Sequence, residues 1–210
     1  MDPRSHWQSV YERKHPNEVS WYQREPTLSH ALIRRVAPPP DSHVLDVGGG
    51  ASTLVDALLA SGYMHVSVLD IAPAALARAR ERLGSVGGRV TWIAEDILAT
   101  SLEPASVDVW HDRAVFHFLR QRDDQKRYVA QVQRAVRPGG HVLVATFAED
   151  GPTWCSGLEV SRYSAAQLHG AFGPGFQLES STKEDHLTPI GVHQAFTYCL
   201  CRWEPGLAAR

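Results

Sequence analysis

The sequence predicts an α/β fold: a mostly parallel sheet with helices on both faces. Three observations predict it. From residue 43 onward, short apolar runs alternate with amphipathic stretches, the order that arises when each strand is followed by a crossover helix. Several of these runs close on glycines or acids, as strands do where they enter the loop before a helix. Near the C-terminus, "FQLESSTKEDH" and "QAFTYCLCRW" follow one another with no helical stretch between, which predicts an antiparallel pair.

The elements follow in order. In the first forty residues, "HWQSVYERK" and "PTLSHALIRRV" read as short helices joined by "SWYQREP". "APPPDS" then ends this leader, because consecutive prolines stop a helix and force extended backbone. The expected organisation is a helical segment over residues 1–40 and one domain over 41–210. "HVLDVGG" is the first strand, and "STLVDALLASG" a helix with a serine N-cap and a glycine stop. "HVSVLD" is the second strand. "APAALARARERLG" is a helix opened by Pro73 and closed by Gly84. "RVTWIAED" and "SVDVWHD" are the third and fourth strands. "RDDQKRYVAQVQRAVRPGG" reads as a helix stopped by Pro138 and two glycines, and "HVLVATF" as the fifth strand.

The totals narrow the function. With 210 residues, 43% of them hydrophobic, the chain can bury one sizeable core. A formal net charge of -2, without a basic block, argues against a duplex-binding surface. The polar start "MDPRSHWQ" predicts no signal peptide, and no run approaches the roughly 18 apolar residues of a membrane span. Three cysteines are too few and odd for a disulfide scaffold, so a reducing cytoplasm is expected.

In an open parallel sheet, ligands bind beyond the carboxyl ends of the strands. The first strand ends in "LDVGGGAST", where Gly48 and Gly50 allow positive φ and close backbone approach. The third glycine of the dinucleotide fingerprint is absent; Thr53 stands there. Asp46, two residues before the glycines, would repel a phosphate and suits an ammonium group. Asp70 ends the second strand and is placed to accept from both hydroxyls of a ribose. Asp96 ends the third predicted strand, where it can accept from an adenine amino group while Ile97 packs on the ring. Together these describe a ligand joining an amino acid to an adenosine with no phosphate between them.

These motifs carry a family resemblance. "VLDVGGGAST", "VLDIAP", "AEDIL", "SVDVWHDR" and "RPGGHVLVATF" resemble, in order and spacing, the successive motifs of the class I S-adenosylmethionine-dependent methyltransferases. The resemblance covers about residues 41 to 147, and the terminal strand pair fits that family's last strands. It implies a Rossmann-like seven-stranded sheet with the last strand antiparallel, and S-adenosyl-L-methionine as cofactor. By position it assigns Gly48 and Gly50 to the methionine part, Asp70 to the ribose, Asp96 and Ile97 to adenine, and Asp46 to the loop or a water near the amino group, with Ile71 also expected against the cofactor. Gly49 replaces the more usual cysteine, threonine or serine; its side chain is expected to point away, so the change should matter little.

The acceptor is harder to read. "DVWHDRAVFHF" places His111 and Asp112 at the cofactor's reactive end, with Arg113 beside the acceptor and Asp112 as the candidate base. This stretch resembles a segment of the enzymes that methylate lysines of elongation factor and citrate synthase. The leader is similar to their tryptophan-containing N-terminus. Trp7, Tyr11, Trp21 and Tyr22 are thus expected to form a lid, with Trp21 against the cofactor and Tyr22 facing substrate. Cys155, in a long loop after the fifth strand, is a second substrate-facing candidate, with a plain loop residue as the alternative. Cys199 and Cys201 share one face of a strand and read as core. His111, Asp112 and His117 match no standard zinc spacing, so no metal is expected.

The leading reading is methyl transfer to a small molecule. Protein lysine methylation, a nicotinamide oxidoreductase and a non-catalytic cofactor-binding protein are the competing ones, and a monomer or weak dimer is expected.

Overall fold

The computed structural model describes residues 2–208. Seven strands form one sheet: β1 (His43–Val47), β2 (His65–Leu69), β3 (Val90–Ile93), β4 (Val107–Arg113), β5 (Val136–Phe147), β8 (Phe176–Leu187) and β9 (His193–Trp203). Their order is β3-β2-β1-β4-β5-β9-β8. The first five run parallel; β9 is antiparallel to both neighbours. The strand order reverses at β1, and the loops leaving β1 and β4 open together there, where doubly wound sheets bind ligands. A two-residue ladder, β6 (Trp154–Cys155) with β7 (Leu158–Glu159), stands beyond the end of β5. Among the described residues no helix is long and apolar enough to cross a membrane.

Each face of the sheet has its own core, as a parallel sheet buried on both sides requires. On one face, α2 (Thr27–Val36), α3 (Leu54–Ala60) and α4 (Pro73–Leu83) pack with Ile33, Leu58, Val66, Leu143 and Leu200. On the other, α5 (Arg122–Ala135) and α6 (Ala165–Phe172) cover Trp110, Tyr128, Val132, Phe172 and Trp203. The leader helix α1 (Pro3–Arg13) rests against α4, where Gln8 Oε1 accepts from the Ala74 amide at 3.0 Å.

Three boundaries differ from the sequence expectation, each for a hydrogen-bonding reason. The helix expected to run into Pro138 stops at Ala135, because the carbonyls of Arg134 and Ala135 accept from Ala105 and Ser106. Val136 then pairs with Val107, and Pro138 with its two glycines lies in an irregular stretch of β5. The third strand ends at Ile93, so Asp96 belongs to a turn: its Oδ1 accepts from Leu98 at 2.8 Å and its carbonyl from Ala99 and Thr100. At α3 the N-cap is Thr53; Ser52 Oγ accepts from the Leu54 amide at 3.1 Å.

Candidate functional site

A cavity of about 490 Å³ opens beyond the carboxyl ends of β1, β2 and β4, within the size range of small-ligand sites. Its floor is the turn after β1. Gly48 and Gly50 take φ of +65° and +43°, as expected from their position. A Cβ at Gly48 would lie 2.0 Å from Val115 Cγ2, and one at Gly50 2.7 Å from Asp70 Oδ2. Gly49 is a correction. Its Cβ would come within 2.4 Å of Asp46 Oδ2, so a larger residue would displace the buried acid rather than point away from it.

Asp70, Ile71, Asp96 and Ile97 all line this cavity. Asp70 is 6% exposed, and its Oδ1 accepts from the Ala72 amide at 2.8 Å. Burial pushes its carboxyl up to about 7; the charge of Asp46 adds to this and the Ala72 amide opposes it. Glu95, just before Asp96, lies in the same wall.

Aromatic rings close the other side. Trp7 meets Trp21 edge-on with centroids 5.6 Å apart and Phe118 at 5.1 Å, while Tyr11 meets Trp21 at 6.4 Å. All four line the cavity. Trp7, Tyr11 and Trp21 belong to the leader; Phe118 carries no sequence signal beyond being aromatic. Tyr22 lies elsewhere. It borders a second, 50 Å³ hollow beneath the glycine turn and is absent from the lining of the larger cavity. The expectation of a substrate-facing Tyr22 is corrected accordingly.

Strand alternation separates the residues of β4. Asp46 and His111 are register partners on adjacent strands and therefore share a face. His111 Nδ1 lies 2.7 Å from Asp46 Oδ1, and its Nε2 2.9 Å from Ser29 Oγ. Both residues border only the small hollow, so contact between His111 and a ligand in the main cavity is corrected to a role behind Asp46. Asp46 Oδ2 is buried without a protein partner among the described residues. That orphan oxygen fits a cationic group or a water.

Asp112 points the opposite way and is wholly buried. Its oxygens accept from the Val115 amide at 2.8 Å, the Phe116 amide at 3.0 Å and the Tyr128 hydroxyl at 2.5 Å. Tyr128 in turn accepts from Trp110 Nε1 at 2.8 Å. Burial raises the carboxyl to about 6, against the opposing pull of these bonds. Asp112 does not border the cavity, so the sequence expectation of a catalytic base is corrected to a cap that shapes the turn after β4.

Arg113 and Cys155 do reach the cavity. Cys155 sits in the β6–β7 hairpin, where a long loop was expected, and burial pushes its thiol up to about 12. A thiol held that high is a poor nucleophile. His117 is buried and neutral: burial, then the Arg113 charge, lowers it to about 3. His186 is buried too, with Nε2 2.7 Å from the Ser20 carbonyl. Among the described residues no cluster of metal-ligating side chains exists. Ser29, Glu184 and Tyr198 carry no sequence signal; they complete the polar framework from distant elements.

Comparison with known proteins agrees with this geometry. Residues 44–140 match the family described as a methyltransferase domain. The chain is 26% identical over 195 residues to EEF1A lysine methyltransferase 2 of Mus musculus, covering 85% of this chain and 73% of that protein. It is 33% identical over 123 residues to the ubiquinone/menaquinone biosynthesis C-methyltransferase UbiE of Methylobacterium nodulans, covering 56% of this chain and 48% of that one. A solved structure described as "Conversion of a Disulfide Bond into a Thioacetal Group during Echinomycin Biosynthesis" superposes with a TM-score of 0.79 at 20% identity, over 99% of this chain and 98% of that one. With the fold and the cavity, these matches support a class I S-adenosylmethionine-dependent methyltransferase, with S-adenosylmethionine as the methyl donor. The relatives' names span a protein lysine and a quinone carbon, so the matches do not identify an acceptor.

Proposed function

We propose that the 490 Å³ cavity seats both the donor and a small-molecule acceptor, with residues 41–210 as the catalytic domain and residues 1–40 as its cover. The observation that carries the cofactor placement is Asp70, a buried carboxylate at the cavity wall raised to about 7. Such a group gains most from a ligand that donates hydrogen bonds to it, and a ribose diol does so. Gly48 and Gly50 leave room for the methionine part, Asp96 and Ile97 face adenine, and Asp46 lies behind the turn toward the amino group.

When bound, S-adenosylmethionine supplies an electrophilic methyl group on a sulfonium. Trp7, Trp21 and Phe118 exclude water from that end, and their faces stabilise a cation. With Asp112 committed elsewhere, the protein offers proximity and alignment rather than a strong base. The acceptor therefore arrives as a nucleophile that needs little deprotonation, such as a neutral amine or a thiolate.

A small acceptor is the first reading for a cavity of this size. Arg120 and Glu159 pair at 2.7 Å, and both line the cavity rim. The similarity to a lysine methyltransferase over 85% of the chain supports a protein side chain as the second reading. The cytoplasmic setting expected from the cysteines and a monomeric or weakly dimeric state belong to the same proposal. Calorimetry with S-adenosylhomocysteine and with NAD tests the cofactor seat: the first is expected to bind and the second not. Tight NAD binding without the adenosyl ligand would sink the reading. Tritiated donor incubated with separated protein and metabolite fractions then assigns the acceptor class.

A further inference from the structure

The segment between α1 and α2 carries Trp21 into the cavity, yet its own backbone bonds are local turns: Glu18 to His15 at 3.0 Å and Tyr22 to Val19 at 3.1 Å. Side chains from the sheet hold it instead. His186 meets the Ser20 carbonyl at 2.7 Å, and Arg113 Nη1 donates to the Trp21 carbonyl at 3.0 Å. Gln23 Nε2 donates to Glu184 Oε1 at 2.9 Å, and Thr53 Oγ1 donates to the Gln23 carbonyl at 2.8 Å. Thr53 stands at the N-cap position of the helix that follows the glycine turn. The segment is therefore tied at one end to the sheet and at the other to the floor of the cavity.

Arg113 is the hub. Its Nε donates to Tyr198 at 2.8 Å, its Nη2 to Glu184 at 3.2 Å, and its Cζ lies 4.0 Å over the Phe196 ring. The Arg113 side chain is only 8% exposed and that of Glu184 16%, so water competes little for these bonds. Tyr198 donates to the same Glu184 oxygen at 2.9 Å. A planar guanidinium satisfies three directions at once, which an ammonium cannot. Glu184 also offsets a positive charge that would otherwise stand unopposed beside a cationic donor.

We infer that Arg113 is a positioning residue. It acts through Trp21, holding residues 19–23 as a latched strap over the donor's reactive end and coupling that strap to the glycine turn through Gln23 and Thr53. This rests on the cofactor reading, because Trp21 bears on chemistry only if the donor lies in the cavity.

The test uses the full chain with Arg113→Gln, Trp21→Ala, the double variant and Glu184→Gln. Exposed Lys14 and Arg24 bracket the strap and give trypsin its sites. Arg113→Gln is expected to be cut there roughly tenfold faster than wild type without ligand, and to release S-adenosylhomocysteine roughly tenfold faster, since it loses a charged donor. If Arg113 works through Trp21, the double variant releases the ligand no faster than the quicker single variant. Additive effects, or unchanged cleavage and release in Arg113→Gln, overturn the inference. Should Arg113→Gln fail to fold, Glu184→Gln decides: it keeps the guanidinium and an acceptor for Gln23. Faster strap cleavage supports the latch, and unchanged cleavage overturns it. Cleavage without ligand reads the strap independently of the cofactor, so a wild type that failed to bind S-adenosylhomocysteine would count against the seat alone.

Discussion

Replacing Asp70 with asparagine is expected to stabilise the empty protein at alkaline pH while weakening its ligand. In the folded chain the Asp70 carboxyl keeps its proton up to about pH 7; an exposed aspartate releases it near 3.8. Between those values the folded state binds more protons than the unfolded one, so stability falls as pH rises through this window and stays low above it. The gap corresponds to about 4 kcal/mol at about 1.36 kcal/mol per pH unit, and water in the cavity screens part of it, leaving about 2–4 kcal/mol. Asparagine can still accept from the Ala72 amide but carries no charge. Urea unfolding without ligand at pH 4, 6 and 8 should show the variant matching wild type at pH 4 and exceeding it by about 2–4 kcal/mol at pH 8. S-adenosylhomocysteine affinity should drop at least about tenfold, because a charged acceptor for two hydroxyls is lost. Parallel stability curves for the two proteins would refute the burial argument. Unchanged affinity would refute the ribose placement.

Two further substitutions probe the framework. Asp112→Asn should cost about 1–3 kcal/mol at pH 5, where the wild-type carboxyl is also uncharged, because an amide nitrogen cannot accept and leaves one of the buried donors now meeting Asp112 unpaired, yet leave S-adenosylhomocysteine affinity within about twofold. A loss of affinity or turnover at unchanged melting temperature would restore Asp112 to the reactive centre. His117→Leu should flatten the acid limb of the stability curve. The unfolded chain protonates this histidine near 6.5 and the folded one only near 3, so wild type loses stability as pH falls through that interval. An unchanged acid limb would show that His117 stays solvated in the folded protein.

Legibility in the sequence followed the range of the interactions involved. That Gly48, Asp70, Asp96 and Ile97 line the cavity was readable because residues at and just beyond the carboxyl end of a parallel strand reach the ligand edge by local geometry. Trp7 and Trp21 were readable as an aromatic cluster without their mutual geometry. The role of Asp112 was not. Near a strand end a carboxylate looks the same whether it faces the cavity or the helix behind, and the amides of Val115 and Phe116 that claim it turn toward it only in the folded loop.

The sequence by itself determined the sheet, its crossover helices, the terminal antiparallel pair and the glycine–acid edge. These depend on periodicity, backbone freedom and the residues at strand ends, all local properties. The tertiary structure alone decided which side of β4 each residue serves, that Gly49 must lack a Cβ against Asp46, and that Arg113 finds Glu184 and Tyr198 at separations of 71 and 85 residues. Those partners meet because β8 and β9 add to the sheet edge beside β5, a pairing set by hydrogen bonding and burial across the whole chain.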